Sequence, residues 1–353
     1  MDQSYTPLSG LGEFNLIDRM RARLDQSVSD SRVICGIGDD AALFSASEGL
    51  LQVITTDALM DGVHFDRTFV PMSYLGAKAI SVNVSDIAAM NARPRVATVT
   101  LGLPHNMSVE MLESLYDGME TACARYGVQL VGGDTTSAHA LYLSIAMTGE
   151  VAPERVVFRR GATIGDALCV TGDLGGAFAG LKILLDQRRE LEELGAAYEP
   201  DLGAYRYVID RQLTPTARLD FVDRIAELGM KPSSMIDISD GLASEIHHIC
   251  QQSDVGATIY LAALPFDPET RAVADQLLDE VDSYAFFGGE DYELLFTISP
   301  EEARELEREG LCSVIGTIEE SASGINAYSS EEGRIPLGAE GFDHFQGDGA
   351  PVE

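Results

Sequence analysis

Five times along the chain a short apolar run ends in Gly, Ser or Thr followed by an acid: Val33–Asp40 (VICGIGDD), Leu51–Asp57 (LQVITTD), Val128–Asp134 (VQLVGGD), Ser234–Asp240 (SMIDISD) and Ala285–Asp291 (AFFGGED). Runs of about 4 to 6 apolar residues bounded by such punctuation predict buried strands whose exits carry the acid. Between them, Met72–Met90 is apolar on nearly every face, which predicts a helix buried all round. Leu11–Arg23 has apolar residues at helical spacing, Ser108–Tyr126 reads as an amphipathic helix, and Arg95–Leu103 and Leu141–Val151 read as strands. After a polar, basic stretch at Pro153–Gly165, the pattern predicts a strand at Ala167–Thr171, a helix at Ala177–Leu185 and a charged insertion through Gly203. Helices Thr214–Leu228, Leu242–Gln252 and Pro300–Arg308 then alternate with strands Met235–Ser239, Ala257–Leu261, Tyr292–Ile298 and Ser313–Ile318. This is an α/β (α+β) pattern. It divides into domains at 1–150 and 151–345, with 346–353 expected as a disordered tail.

Composition narrows the class. A length of 353 residues with 45% hydrophobic content and 34 glycines suits two α/β domains with a core each. No apolar stretch is long enough to span a membrane, and MDQSYTPLSG resembles no leader, so a cytoplasmic protein is expected. The five cysteines are scattered, without the spacing of a zinc site, and are expected to be reduced, mostly buried thiols. The formal charge of −33 argues against a nucleic-acid surface, and with only three lysines it suggests a salt-adapted protein. Most of the acids therefore belong to a solvated face, and acid count alone carries no function.

Position carries more. Carboxylates gathered at one place repel, at roughly 4 kcal/mol for two about 4 Å apart, so a cluster of them calls for cations. Asp86 lies on the helix that is apolar all round, where it must be paired, protonated or a metal ligand; Asn83 shares its face. Thr55, Thr56 and Asp57 offer hard oxygens suited to magnesium, or form an Asx turn. IGDD, ending at Asp39 and Asp40, could be a turn or a ligand pair. Gly132, Gly133 and Asp134 could let backbone approach a phosphate. Asp237, Ser239 and Asp240 sit at another strand exit, with Asp240 also a helix N-cap candidate. Glu290 in GGEDY could hold a polar ligand, and His64 within GVHF is a structural residue or an anion contact. Gly172–Gly180 lacks the ending of a P-loop and reads as a packing turn. Arg159 and Arg160 are linker charge or a phosphate clamp. Many Asp, few His and no paired Cys select Mg²⁺ over softer metals. With no convincing general base, an acceptor that is itself a phosphate is favoured, since it is already ionised near neutral pH.

The motifs GEFNLI (12–17), GIGDDAAL (36–43), TTDALMDGVHF (55–65), KAISVNVSDIAAMNARP (78–94), VGGDTT (131–136), DISDGL (237–242), GGEDYELLFT (288–297) and GFDHF (341–345) resemble the thiamine-monophosphate kinase family. The resemblance spans residues 12–345. It implies ATP- and Mg²⁺-dependent phosphorylation of thiamine monophosphate to thiamine diphosphate, and the two-domain fold of aminoimidazole ribonucleotide synthetase with N-terminal sheets of two subunits paired in a dimer barrel. It places metal ligands at Asp39, Thr55, Thr56, Asp57, Asp86, Asp134, Asp237 and Asp240, with Asp57, Asp86 and Asp237 nearest the chemistry. Nucleotide contacts fall on Tyr116, Gly133, Asp134, Arg159 and Ser239, and thiamine-side contacts on His64, Glu290 and Phe342. The partners implied are ATP, thiamine monophosphate and a second copy of the chain, with no nucleic acid and no membrane. The rival readings are a sibling ATP-dependent synthetase, making aminoimidazole ribonucleotide or selenophosphate, and a non-catalytic acidic calcium-binding protein. A selenophosphate enzyme would want a reactive N-terminal cysteine, and none precedes Cys35.

Overall fold

The computed structural model describes residues 33–35, 43–44, 47–195, 202–331 and 333–338. The expected helix at Leu11–Arg23, the acids Asp39 and Asp40, Phe342 and the tail lie outside the described residues. The chain separates into two compact units, Met1–Val156 and Val157–Glu353.

Unit 1 holds a short antiparallel pair, β1 (Val33–Cys35) with β2 (Leu43–Phe44), and a four-stranded sheet. The sheet strands are β3 (Leu51–Met60), β4 (Arg93–Leu103), β5 (Gln129–Ser137) and β6 (Tyr142–Val151), in the order β3-β6-β4-β5, with only β4 and β5 parallel. Helix α1 (Met72–Ala89) is buried nearly all round, as its apolar circumference requires. Helix α2 (Val109–Tyr126) starts at Ser108, whose hydroxyl accepts from Met111 N at 3.2 Å, and ends at Gly127 in the left-handed region. The two helices meet at a pair of glycines. A Cβ on Gly76 would sit 2.0 Å from Leu115 O, and one on Gly118 would sit 1.7 Å from Ser73 O. Along β3, Val53, Thr55, Asp57 and Leu59 are the more buried positions, while Gln52, Ile54, Thr56, Ala58 and Met60 are exposed. One face of the sheet's edge strand thus carries helix α1, and the other is open with Ile54 76% exposed.

Unit 2 contains a seven-stranded mixed sheet in the order β13-β12-β9-β11-β7-β10-β8. Its strands are β7 (Ala167–Val170), β8 (Ser234–Asp237), β9 (Val255–Tyr260), β10 (Leu294–Ile298), β11 (Ser313–Glu320), β12 (Ile325–Ser329) and β13 (Gly333–Pro336). The helices are α3 (Gly176–Leu194), α4 (Arg206–Leu213), α5 (Leu219–Glu227), α6 (Leu242–Ser253), α7 (Pro268–Leu277), α8 (Val281–Phe287) and α9 (Pro300–Arg308). Leu295 joins the core with Ile246 and Ile249 of α6, while the next residue, Phe296, stacks on Phe221 of α5 at 4.8 Å. Alternate residues of β10 therefore face helices on opposite sides of the sheet.

The structure corrects several local expectations. Asp57 and Asp134 lie within β3 and β5 rather than at strand exits. The apolar run before Gly288 is the helix α8, not a strand. The first part of the charged insertion is helical, since α3 runs to Leu194 with Arg188 paired to Glu192 one turn on. Among the described residues no helix is long and apolar enough to cross a membrane, and Cys123, Cys169, Cys250 and Cys312 are buried free thiols.

Candidate active site

In unit 1 the polar set is built where β3 faces α1. Thr55 Oγ1 donates to Asp86 Oδ2, and Asn83 Oδ1 accepts from Asp57 N at 3.2 Å while its amide donates to Ala79 O at 3.0 Å. The i and i+3 spacing of Asn83 and Asp86 sets both toward β3, as the helical pattern requires. Burial, and then the Asp86 carboxylate, push the Asp57 carboxyl up to about 6. Two facing acids with a threonine hydroxyl make a hard-oxygen set whose mutual repulsion a cation relieves. Among the described residues no three His, Cys, Asp or Glu side chains gather as a metal site.

Other expected residues of unit 1 are placed differently. Thr56 turns to the opposite, open face of the sheet, where its hydroxyl lies 3.4 Å from Ser144 Oγ, so its side chain does not join Thr55 and Asp57. Asp134 is exposed and accepts from Thr135 N at 2.9 Å. Gly133 has a structural reason to be glycine, since a Cβ there would lie 1.9 Å from Val99 O on the neighbouring strand. His64 Nδ1 accepts from Met60 N at 3.1 Å, closing the turn after β3. Tyr116 is buried on α2.

In unit 2 two loops are joined through main-chain bonds. Glu290 N donates to Ser239 O at 2.7 Å and Tyr292 N to Ile238 O at 2.8 Å. Both donors are left-handed, with φ of 59° and 52°, and Gly289 between the loops could not carry a Cβ, which would sit 2.5 Å from Ser239 O. The loops bring Asp237, Ser239, Asp240 and Glu290 together. Asp240 does not cap α6; the N-cap is Gly241, at φ 114°. Strand β8 ends at Asp237, so Ser239 lies in the turn rather than on the strand. The paired arginines separate: Arg160 stacks over the Phe158 ring at 5.0 Å, whereas Arg159 lies near His248, whose pKa falls through burial and then through the Arg159 charge.

Sequence reasoning missed the groups behind these loops. Glu245 is buried and accepts from Ser239 N at 3.0 Å and Asp240 N at 2.9 Å; burial pushes its carboxyl up to about 8, with Asp240 and Asp237 adding to the rise. Gln212 donates to Glu290 Oε2 at 2.7 Å, and Arg211 binds Glu293 Oε1 at 3.0 Å and the carbonyls of Asp173 and Asp291. Asp291 accepts from Gly175 N and Ala177 N at the start of α3, which confirms the packing reading of the glycine-rich turn. A signal for Glu245 was present: an acid among Leu242, Ala243, Ile246 and Ile249, on the apolar face of its helix, as Asp86 is on α1.

The AIR synthase related protein family matches in both its parts, the N-terminal domain over residues 38–151 and the C-terminal domain over 163–326. The chain is thus an AIR synthase related protein. It is 39% identical over 291 residues to the thiamine-monophosphate kinase of Aquifex aeolicus, covering 82% of this chain and 87% of the relative. A solved structure described as AaThiL complexed with AMPPCP and TMP superposes with TM-score 0.73 at 35% identity, covering 96% of this chain and 98% of that one. The thiamine-monophosphate kinase of Stenotrophomonas maltophilia K279a gives TM-score 0.78 at 32% identity, over 93% of this chain and 98% of that one. Within its class the chain belongs to the thiamine-monophosphate kinase family.

Proposed function

We propose that the chain transfers the γ-phosphoryl group of ATP to thiamine monophosphate, giving thiamine diphosphate and ADP, in the cytoplasm. The observation that carries this reading is the likeness, over 96% of the chain, to a structure holding AMPPCP, an unreactive ATP analogue, together with TMP. The acceptor is a phosphate already ionised at neutral pH, so no general base is required and direct in-line attack without a phospho-enzyme is favoured. Magnesium bound at the carboxylates would neutralise charge on the transferring group. In unit 1, Asp57 and Asp86 would hold it, oriented by Asn83 and Thr55, with Asp39 and Asp134 as further ligands. In unit 2, Asp237 and Asp240 would supply carboxylates, Ser239 and Arg159 would contact the nucleotide, and Glu290 would meet the cationic thiamine. The position of Arg159 beside His248 and the occupation of Arg160 by Phe158 favour Arg159 as the phosphate contact. His64, Tyr116, Gly133 and Phe342 complete the proposed substrate set. The open face of the four-stranded sheet supports pairing of two copies there, as a homodimer.

The test is a coupled assay with Mg-ATP and thiamine monophosphate, with unphosphorylated thiamine as control, from low to molar salt. ADP and thiamine diphosphate formed only with the monophosphate are the expected products. A folded protein that binds Mg-ATP and makes neither at any salt would move the assignment to a sibling synthetase.

A further inference from the structure

The turn that carries Ser239 and Asp240 has its main-chain donors already occupied. Both N–H groups point to one oxygen, Glu245 Oε1, at 3.0 and 2.9 Å, and Glu245 is 2% exposed. Ordinary helix capping does not account for this. A cap or capping box satisfies N–H groups of the first turn or of the N-cap itself, whereas Glu245 reaches past Gly241 to the two residues upstream of it. On its other side the same turn is held by Glu290 N and Tyr292 N through the carbonyls of Ser239 and Ile238. Gly241 leaves no slack, because at φ 114° a Cβ there would meet Phe286 O at 2.5 Å.

We propose that Glu245 is a positioning residue for the Ser239–Asp240 turn: by accepting both main-chain N–H groups it fixes where these two side chains present themselves to a Mg-nucleotide. This rests on the reading of Ser239 and Asp240 as nucleotide- and metal-side residues. The role needs an acceptor oxygen at the end of a three-carbon side chain and needs no negative charge. Glutamine meets that requirement. Aspartate is one methylene too short to keep both bonds, and alanine offers none.

The experiment compares E245Q, E245D and E245A with the wild type in two readouts: equilibrium binding of the Mg²⁺ complex of AMPPCP without acceptor, and steady-state kinetics with each substrate varied. E245Q is expected within about twofold of wild type. E245D and E245A are expected to weaken Mg-nucleotide binding on the order of tenfold, as loss of one or two hydrogen bonds implies, with the KM for thiamine monophosphate within about twofold. A glutamine variant as damaged as the alanine one, undiminished binding by E245D, or an equal loss for both substrates overturns the proposal. Should E245A fail to fold, E245Q and E245D decide between these outcomes. Failure of the functional reading is separate: the wild type would bind Mg-nucleotide and phosphorylate nothing, and the binding comparison among variants would still decide the role of Glu245.

Discussion

Individual acids in this chain do opposite work, and their surroundings say which. Asp57 faces Asp86 and is pushed up to about 6, so it is costly to ionise until a cation joins it. Asp57→Asn is therefore expected to fold normally while lowering turnover by about a hundredfold or more, the size of effect seen when transition-state charge loses a stabilising group. Near-normal turnover in steady-state assays would remove the shared-metal account. Glu150 is the contrary case. Burial alone would raise its pKa, but bonds from Ser47 N at 3.0 Å, Ser47 Oγ at 2.9 Å, Gln52 Nε2 at 3.2 Å and Arg95 Nε at 3.0 Å outweigh it and hold the group at about 2. Its folded pKa lies below the ordinary 4.5, so its stabilising contribution is present above pH 4.5 and is lost as pH falls toward 2. Glu150→Gln should cost about 2 kcal/mol at pH 7, and the gap from wild type in thermal melts should close steadily below pH 4.5. A gap that stays constant with pH would assign the role of Glu150 to packing. Asp86 was legible in the sequence because an acid on an all-apolar helix stands out. Glu150 was not, because its partners come from Ser47, Gln52 and Arg95, and only the fold brings these together.

At the scale of elements, periodicity located long segments well and short ones poorly. The spacing predicted a helix at Met72–Met90 and the structure has Met72–Ala89; the strand expected at Leu141–Val151 is Tyr142–Val151. Helix α8 covers only Val281–Phe287, and over seven residues an apolar run does not distinguish strand from helix. Helix α4, which supplies Arg211 and Gln212, follows a charged stretch and offers too few apolar positions to read. Sheet order was equally hidden, because β12 runs parallel to β9 while its other neighbour is antiparallel, and pairing of that kind is set by tertiary packing. The glycines at the α1–α2 crossing had no sequence mark either. Gly118→Ala places a methyl group against Ser73 O across a contact with no room to spare. The helices would have to separate, at an expected cost of about 3 kcal/mol, visible as a lower melting temperature with helix content retained at low temperature. A variant as stable as the wild type would mean that the crossing is looser than its geometry.

Over the whole molecule, the charge of −33 and the open sheet face act against each other. Several of the described ion pairs are exposed on both sides or nearly so, such as Arg224 with Glu227 and Glu309, and pairs of that kind contribute little against a net excess of acid of this size. Self-repulsion then depends on screening, whose range falls from about 10 Å at 0.1 M salt to about 3 Å at 1 M. Melting temperature should therefore rise between these salt concentrations, and flat stability would mean that the acids are already balanced by their placement. Association meets the same barrier twice over, since each copy brings its own excess. What favours pairing is apolar: Ile54 is 76% exposed and Met60 41% exposed on one strand face, beside the hydroxyls of Thr56 and Ser144. Covering such a face gains roughly 25 cal/mol for each Å² of apolar area, a gain that salt does not screen away. Mass measured by light scattering should thus shift toward the dimer as salt rises. Ile54→Lys places a charge on this face and should leave a monomer at every salt concentration, with the melting curve of the separated chain little changed because Ile54 is 76% exposed within its own chain. A dimer that persists in Ile54→Lys would place the contact on another surface.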